Sequence, residues 1–388
     1  MQVYILEIAS SEWKSSFGNC NQLFITIGIF LSYIFGIEYK VGVSVQYWVI
    51  AFIAAGFVVI FEILMYFTYK TPHWLLSKGM DENAIRVLKI LRGSNFTEEL
   101  EEIKESVRVQ PNYSVIKQLM EFRHRSIITP FLLVIMLMFF QQFSGINVAI
   151  FYASHVFLEA GLSQHQVNLI VAVAIGAVQV IATLVSVILV KRHEQKILLT
   201  MSSIGMFLSS LVLGIYFYIY NSICGSCLVG DACNLTIVHD SVHQHFPCNT
   251  TKFGYLAVVC IIIFIISFSL GWGPIPWTSM SELMPNRVRT LAGSIATFTN
   301  WSFVTIITLC FKYYSRPPIN NDGAWWTFSF IMFVAIFMVI LFLPKTKGLS
   351  LEEIQKYFEQ GHIFAVPCFR RRPVTPPPST TDSSTEEQ

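Results

Sequence analysis

The sequence predicts an all-α protein, a polytopic membrane helical bundle, from three observations. The first is composition: 54% of the 388 residues are hydrophobic and only 13% are charged, where soluble domains carry about 25% charge. Mean hydropathy is +0.57. The second is eight apolar runs, at residues 20–37, 47–69, 127–157, 165–190, 197–220, 255–281, 291–314 and 323–343. Runs of this length are membrane-span candidates, since about 20 apolar residues cross a bilayer as a helix. The third is charge placement. An even number of spans puts both chain ends on one side, and that side, with its alternate loops, holds 22 of the 26 Lys and Arg residues. By the positive-inside rule it is cytoplasmic.

Residues 1–69 supply the first two spans and a short apolar stub ahead of them. Residues 1–19 lack the basic segment leading into an apolar stretch that marks a signal peptide. Glu7, Trp13 and Lys14 read as a cytoplasmic helix end and turn. Gln22 lies near the start of the first span. The second span holds Glu62, read either as a proton-coupling carboxylate or as an interfacial acid reaching water.

Residues 70–126 are a polar cytoplasmic loop. Ile85, Leu88 and Leu91 fall at helical spacing within 81–91. Gly93 is placed to close that helix. A second, Glu-rich helix is expected from Phe96 to Val107, with Thr97 as its N-cap.

Residues 127–343 carry the other six spans. The third is unusual for what lies at its centre: Phe139-Phe-Gln-Gln-Phe-Ser-Gly-Ile-Asn-Val-Ala-Ile-Phe-Tyr152. Each of the amides Gln141, Gln142 and Asn147 carries two donors and an acceptor, which lipid cannot satisfy. Polar groups at that depth face the bundle interior or a watery cavity. Gln142 and Asn147 are about 140° apart on a regular helix, and Gly145 between them allows a bend. A patch of neutral amides suits a neutral, hydroxyl-rich ligand. The alternative is interhelical bonding alone. The fourth span holds Gln179 and ends at the charged turn Lys191-Arg-His-Glu-Gln-Lys196.

The external loop, 221–254, contains Cys224, Cys227, Cys233 and Cys248, and the acceptor sequons of Asn234 and Asn249. Four cysteines on an oxidising face predict two disulfides, with three possible pairings. The sixth span contains Gly271-Trp-Gly-Pro-Ile-Pro-Trp277. Gly273, Pro274 and Pro276 break a helix there, and broken helices at membrane depth mark transporter sites and gates. Trp277 offers a flat face for the C–H side of a pyranose. Asn300 follows in the seventh span. The tail, 344–388, is rich in Pro, Ser and Thr and is expected to be disordered after about residue 364.

Glu7, Lys14 and Gly18 match Glu282, Arg289 and Gly293 at an offset of 275 residues, which Lys70-Thr71 and Lys345-Thr346 share. One offset for four matches indicates a parallel repeat. The repeat ending near 345 has six spans, whereas the one ending near 70 has two and the stub. The expectation is a twelve-span architecture of which eight spans and a stub are present.

The run Gln141-Gln-Phe-Ser-Gly-Ile-Asn147, the segment Gly271–Trp277 with Ser281-Glu282, and Phe298-Thr-Asn-Trp301 closely resemble the sugar porters, the facilitative hexose transporters of the major facilitator superfamily. The resemblance runs from residue 3 to about 358 and implies the major facilitator fold. It implies that Gln22, Gln141, Gln142, Asn147, Trp277 and Asn300 line a sugar site. Gln179 stands where many members have a ligand-binding Asn. Phe151 and Tyr152 match an external aromatic gate, Phe268 a cytoplasmic-side aromatic, and Glu282 and Arg289 a cytoplasmic ionic network. Departures lie on the cytoplasmic side. The family's Pro-Glu-Thr-Lys-Gly is Pro344-Lys-Thr-Lys-Gly348, its Pro-Glu-Ser-Pro-Arg is Tyr69-Lys-Thr-Pro-His73, and its charged turn is altered at 191–196.

The expected function is facilitative transport of a hexose by alternating access. The membrane is expected to be the plasma membrane, or an endosomal or lysosomal one, with both termini cytoplasmic. Partners are the sugar and the bilayer; no enzyme activity, cofactor, metal or nucleic acid is implied. The alternatives are a proton-coupled sugar or polyol symporter, motivated by Glu62, and a non-transporting sugar sensor, motivated by the incomplete repeat.

Overall fold

Backbone amides in a lipid interior bond only within their own segment, so each apolar run should close into a helix. The computed structural model shows this over the residues it describes, namely 2–9, 14–36, 47–93, 96–108, 115–159, 162–163, 166–167, 170, 175–229, 251–314, 320–345 and 351–359. The chain begins with α1 (Gln2–Ile8), α2 (Lys14–Gly36) and α3 (Tyr47–Tyr66). Four short helices follow: α4 (Pro72–Ser77), α5 (Asp81–Arg92), α6 (Thr97–Arg108) and α7 (Val115–Glu121). The main bundle comprises α8 (Arg125–Phe143), α9 (Ile146–Phe151), α10 (Ala153–Glu159), α11 (Gly176–Arg192), α12 (Gln195–Val229), α13 (Thr251–Leu270), α14 (Ile275–Leu283), α15 (Asn286–Tyr314) and α16 (Asn320–Phe342). The last described helix is α17 (Leu351–Glu359). Among the described residues, five stretches are long and apolar enough to cross a membrane: Arg125–Phe151, Gln195–Tyr220, Gly254–Leu283, Arg287–Phe311 and Asp322–Phe342. Two shorter apolar helices, Cys20–Ile34 and Ala51–Tyr66, cover the first two expected spans.

Within the bundle α12 packs against α13 and α16, α8 against α15, and α2 against α11. One contiguous core runs through these elements, with Phe157, Phe217, Phe264, Trp272 and Trp325 buried in it. Helix α17 inserts Ile354 and Phe358 into the same core, so this helix is anchored to the bundle; the rest of the tail, including the part after 364 expected to be disordered, lies outside the described residues. Helix α3 differs: it runs beside α2, and Phe52, Phe57, Val58, Ile63 and Leu64 are exposed. Glu62 is exposed on this helix.

Helices α4, α5 and α6 form a separate core, whereas α7 packs on α15. Leu75, Leu76, Ala84, Val87, Leu88, Leu100 and Ile103 make that core. Of the residues at helical spacing in 81–91, Leu88 is buried and Ile85 and Leu91 are half-buried against the core, with Ala84 and Val87 also buried; α5 closes at Gly93, whose φ is +74°. Thr97 starts α6 as its first helical residue. Arg92 and Glu99 join α5 to α6 through a two-pronged ion pair of 2.7 and 2.9 Å.

The third span is interrupted where the sequence placed its glycine. Gly145 has φ of +89°, between α8 and α9. A Cβ there would stand 2.5 Å from the ring of Phe328 on α16. The position therefore requires glycine twice, for its backbone and for its space. Gly79 also has positive φ (+72°) but nothing within 4 Å of a Cβ. Gly79→Ala should cost about 1–2 kcal/mol from the left-handed conformation alone. Gly145→Ala should cost about 2–5 kcal/mol, because overpacking adds to that strain. Thermal denaturation in one detergent should give a clearly lower midpoint for Gly145→Ala than for Gly79→Ala.

Candidate functional site

The last turn of α8 carries Gln141 and Gln142 toward the break between α13 and α14. Proline leaves helix carbonyls without their usual donors, and at membrane depth such groups need partners within the protein. Gln141 Nε2 supplies them, donating to the carbonyls of Trp272 (2.7 Å) and Gly273 (3.0 Å). Ser186 Oγ on α11 donates to the carbonyl of Leu270 (2.9 Å). The Trp272 indole, fully buried, donates to Ser203 Oγ on α12 at 2.8 Å. The break is thus held from three helices.

The amides form one network. Gln141 Oε1 accepts from Asn300 Nδ2 (2.9 Å) and Gln142 Nε2 (3.4 Å). Gln142 Nε2 also donates to Asn300 Oδ1 (3.0 Å), and Gln142 Oε1 accepts from Asn147 Nδ2. The second N–H of Asn300 reaches Met138 Sδ at 3.3 Å. Gln141, Gln142 and Asn300 are buried, whereas Asn147 is half-buried.

Counting donors and lone pairs shows where capacity remains. Gln141 uses both N–H groups and both oxygen lone pairs. Gln142 and Asn300 each keep one oxygen lone pair. Asn147 keeps its Oδ1 and one N–H, without a partner among the described residues. The network therefore ends at an accessible amide that can both donate and accept. Its members are amides, carbonyls and a thioether, so the network itself offers neutral donors and acceptors and no acid, base or nucleophile.

The other residues expected at the site fall around this network. Gln22 on α2 lies beside the break, its Cγ 3.6 Å from where a Cβ on Gly273 would sit. Pro274 and Pro276 sit at the start of α14, and Trp277 follows, half-buried against the core. Gln179 on α11 stands apart: it is buried, and its Oε1 has no hydrogen-bond partner among the described residues.

Among the residues expected from the resemblance to gate, Phe268 is buried, and its carbonyl accepts from Gly271 N (3.2 Å) and Gly273 N (2.9 Å). Tyr152 packs on Phe311 with centroids 4.9 Å apart and donates to Thr308 O at 3.4 Å, whereas Phe151 points outward and is 60% exposed. Glu282 Oε2 accepts from Gln195 Nε2 at 2.9 Å. Arg289 donates to the Met284 carbonyl at 3.1 and 3.2 Å and interacts electrostatically with Glu7 and Glu282. Asn234, Asn249, Cys233 and Cys248 lie outside the described residues. Cys224 and Cys227 fall on the last turns of α12, their side chains likewise outside.

The sequence pattern gives no bonding role to Trp272, Ser186, Ser203, Met138 or Tyr33, all of which have one here. Tyr33 on α2 donates to the Ile150 carbonyl on α9 at 2.9 Å, tying the first span to the main bundle. A Trp between two glycines in a helix break needs a buried partner for its N–H, and that is the signal that could have found Trp272.

The chain matches the family described as "Sugar (and other) transporter" over residues 1–358. The facilitated trehalose transporter Tret1 of Drosophila erecta is 34% identical over 359 residues, 92% of this chain and 38% of that protein. Tret1 of Anopheles gambiae is 31% identical over 358 residues, 92% of this chain and 41% of that protein. The chain thus spans less than half the length of these relatives. Among solved structures, the proton:xylose symporter XylE bound to 6-bromo-6-deoxy-D-glucose matches with a TM-score of 0.71 at 23% identity, covering 92% of this chain and 70% of that one. At that identity the likeness establishes the fold, that of the major facilitators.

The bonding pattern separates two roles among the amides. Gln141→Leu strips both donors from buried carbonyls, which should cost about 1–3 kcal/mol. Asn147→Ala removes one donor, that to Gln142 Oε1, from a half-buried position and should cost about 0.5–1.5 kcal/mol. Melting of the ligand-free protein should show the larger fall for Gln141→Leu.

Proposed function

This chain belongs to the sugar transporter family, and from that membership we propose that it carries a neutral sugar across a membrane by alternating access. The observation that supports this reading is the amide network: four neutral side chains at a helix break, with unspent hydrogen-bonding capacity concentrated on Asn147. In this reading Gln142, Asn147 and Asn300 take the sugar hydroxyls, and Gln22 and Trp277 close the site from the other side. Gln179, with its unpartnered buried oxygen, is held ready for a hydroxyl donor. Gln141 orients the others through the Trp272 and Gly273 carbonyls. Glu62 is exposed on α3, outside the network, which favours the facilitative mode over proton coupling.

The substrate we propose is a hexose, which fits a single cluster of amides beside one aromatic face. The curated relatives are facilitated transporters of trehalose, a two-ring sugar, so a disaccharide is the second reading. Counterflow of labelled hexose, with trehalose as competitor, tests both. Saturable, stereoselective counterflow supports a carrier. Binding without counterflow would make the chain a sensor, and no binding by a monodisperse preparation would overturn the reading.

Asn147→Ala should weaken sugar binding by roughly 2- to 12-fold, the worth of one hydrogen bond to a neutral hydroxyl. Titration calorimetry at matched folding checks it. We also propose a plasma-membrane location with cytoplasmic termini, glycans on Asn234 and Asn249, and oxidation of Cys224, Cys227, Cys233 and Cys248. Glycosidase treatment of the cell-expressed protein should raise its gel mobility; unchanged mobility contradicts this orientation.

A further inference from the structure

Helix α7 divides into two faces. Glu121 turns toward the bundle, its Oε2 3.4 Å from Arg287 Nη2 on α15. Phe122, just past the helix, meets Phe131 of α8 edge-on with centroids 4.9 Å apart. The other face is apolar and open: Val115, Ile116, Leu119 and Met120 are 51–66% exposed. These four cover an arc of about 140° on a regular helix. Charged residues around them are basic and exposed: Lys117, Arg123 and Arg125. The one acid of the helix, Glu121, faces Arg287. The membrane-crossing stretch begins at Arg125, four residues after α7 ends.

An open apolar stripe with basic flanks, next to a span, matches the pattern of a helix lying in a bilayer interface. We propose that α7 is an interfacial anchor. It seats Val115, Ile116, Leu119 and Met120 at the acyl boundary and binds anionic phospholipid headgroups through Lys117, Arg123 and Arg125. The anionic preference rests on the reading of this end of the bundle as cytoplasmic, since that leaflet carries the negative surface potential. The anchor fixes the entry of α8, the helix that ends in Gln141 and Gln142. It therefore sets the height of the amide network relative to the membrane.

The test is hydrogen–deuterium exchange of residues 115–124 in the full chain, reconstituted into nanodiscs of phosphatidylcholine or of phosphatidylcholine with phosphatidylglycerol. Both leaflets of a nanodisc are alike, and no sugar is present. The result is therefore independent of sidedness and of transport. Exchange should be severalfold slower with phosphatidylglycerol, while α5 shows no change. Ile116→Glu/Met120→Glu should abolish the protection in both bilayers. Lys117→Gln/Arg123→Gln should keep the protection in phosphatidylcholine and lose the added effect of phosphatidylglycerol. Equal exchange in both bilayers and in all variants overturns the proposal. So does protection that follows protein concentration instead of lipid, which would assign the stripe to a second copy of the chain.

Discussion

The pair of hydrogen bonds from Gln141 to the Trp272 and Gly273 carbonyls is the constraint on which the rest depends. A helix broken by Pro274 and Pro276 exposes carbonyls that lipid cannot satisfy. One amide closes two of them and, through its oxygen, aligns Asn300 and Gln142. The break and the amide patch are therefore one device. Without Gln141 the Trp272 and Gly273 carbonyls lose these donors; without the break its two N–H groups lose their acceptors. The Trp272–Ser203 bond extends the same device to α12.

At the opposite end of these helices the charge pattern differs from that of the family, yet it is paired. Where relatives are expected to carry an acid, Lys345 lies 3.4 Å from Glu194. Gln195, in the altered turn, holds Glu282 and also accepts from Ser279 at 3.1 Å. Arg289 sits near both Glu7 and Glu282, the two acids related by the internal repeat. The reversed pair is largely exposed on its Lys side, at 65%, so its worth is small. The Glu282–Gln195 contact is neutral on one side and needs no second charge buried. Lys196, the last residue of the turn, donates to the Ile340 carbonyl at 2.7 Å.

Much of the fold was legible because lipid imposes a simple rule: apolar length implies a helix. The breaks were legible too, since Gly145 permits a bend and Pro274 and Pro276 withhold the N–H groups that an unbroken helix needs. Length was less legible at α12, expected to end near 220 and observed to continue to Val229. Hydropathy reports bilayer thickness, and no proline stops this helix where apolarity ends. Residues of the site could be named individually, but not how they bond. Gln142 and Asn300 are 158 residues apart, and nothing local in either segment specifies that they meet. The split between Gln141, fully committed to the protein, and Asn147, open to a ligand, follows from three-dimensional bonding alone. Likewise Phe151 and Tyr152 are adjacent in sequence, yet Phe151 is exposed while Tyr152 packs on Phe311.

The central claim is that a neutral amide reads a neutral hydroxyl. A double-mutant cycle tests it most directly, combining Asn147→Ala with a series of single-deoxy hexoses in equilibrium binding. The account predicts that one deoxy position weakens binding to the unaltered protein by roughly 2- to 12-fold and causes no further loss in Asn147→Ala. Losses that simply add at every ring position would contradict it.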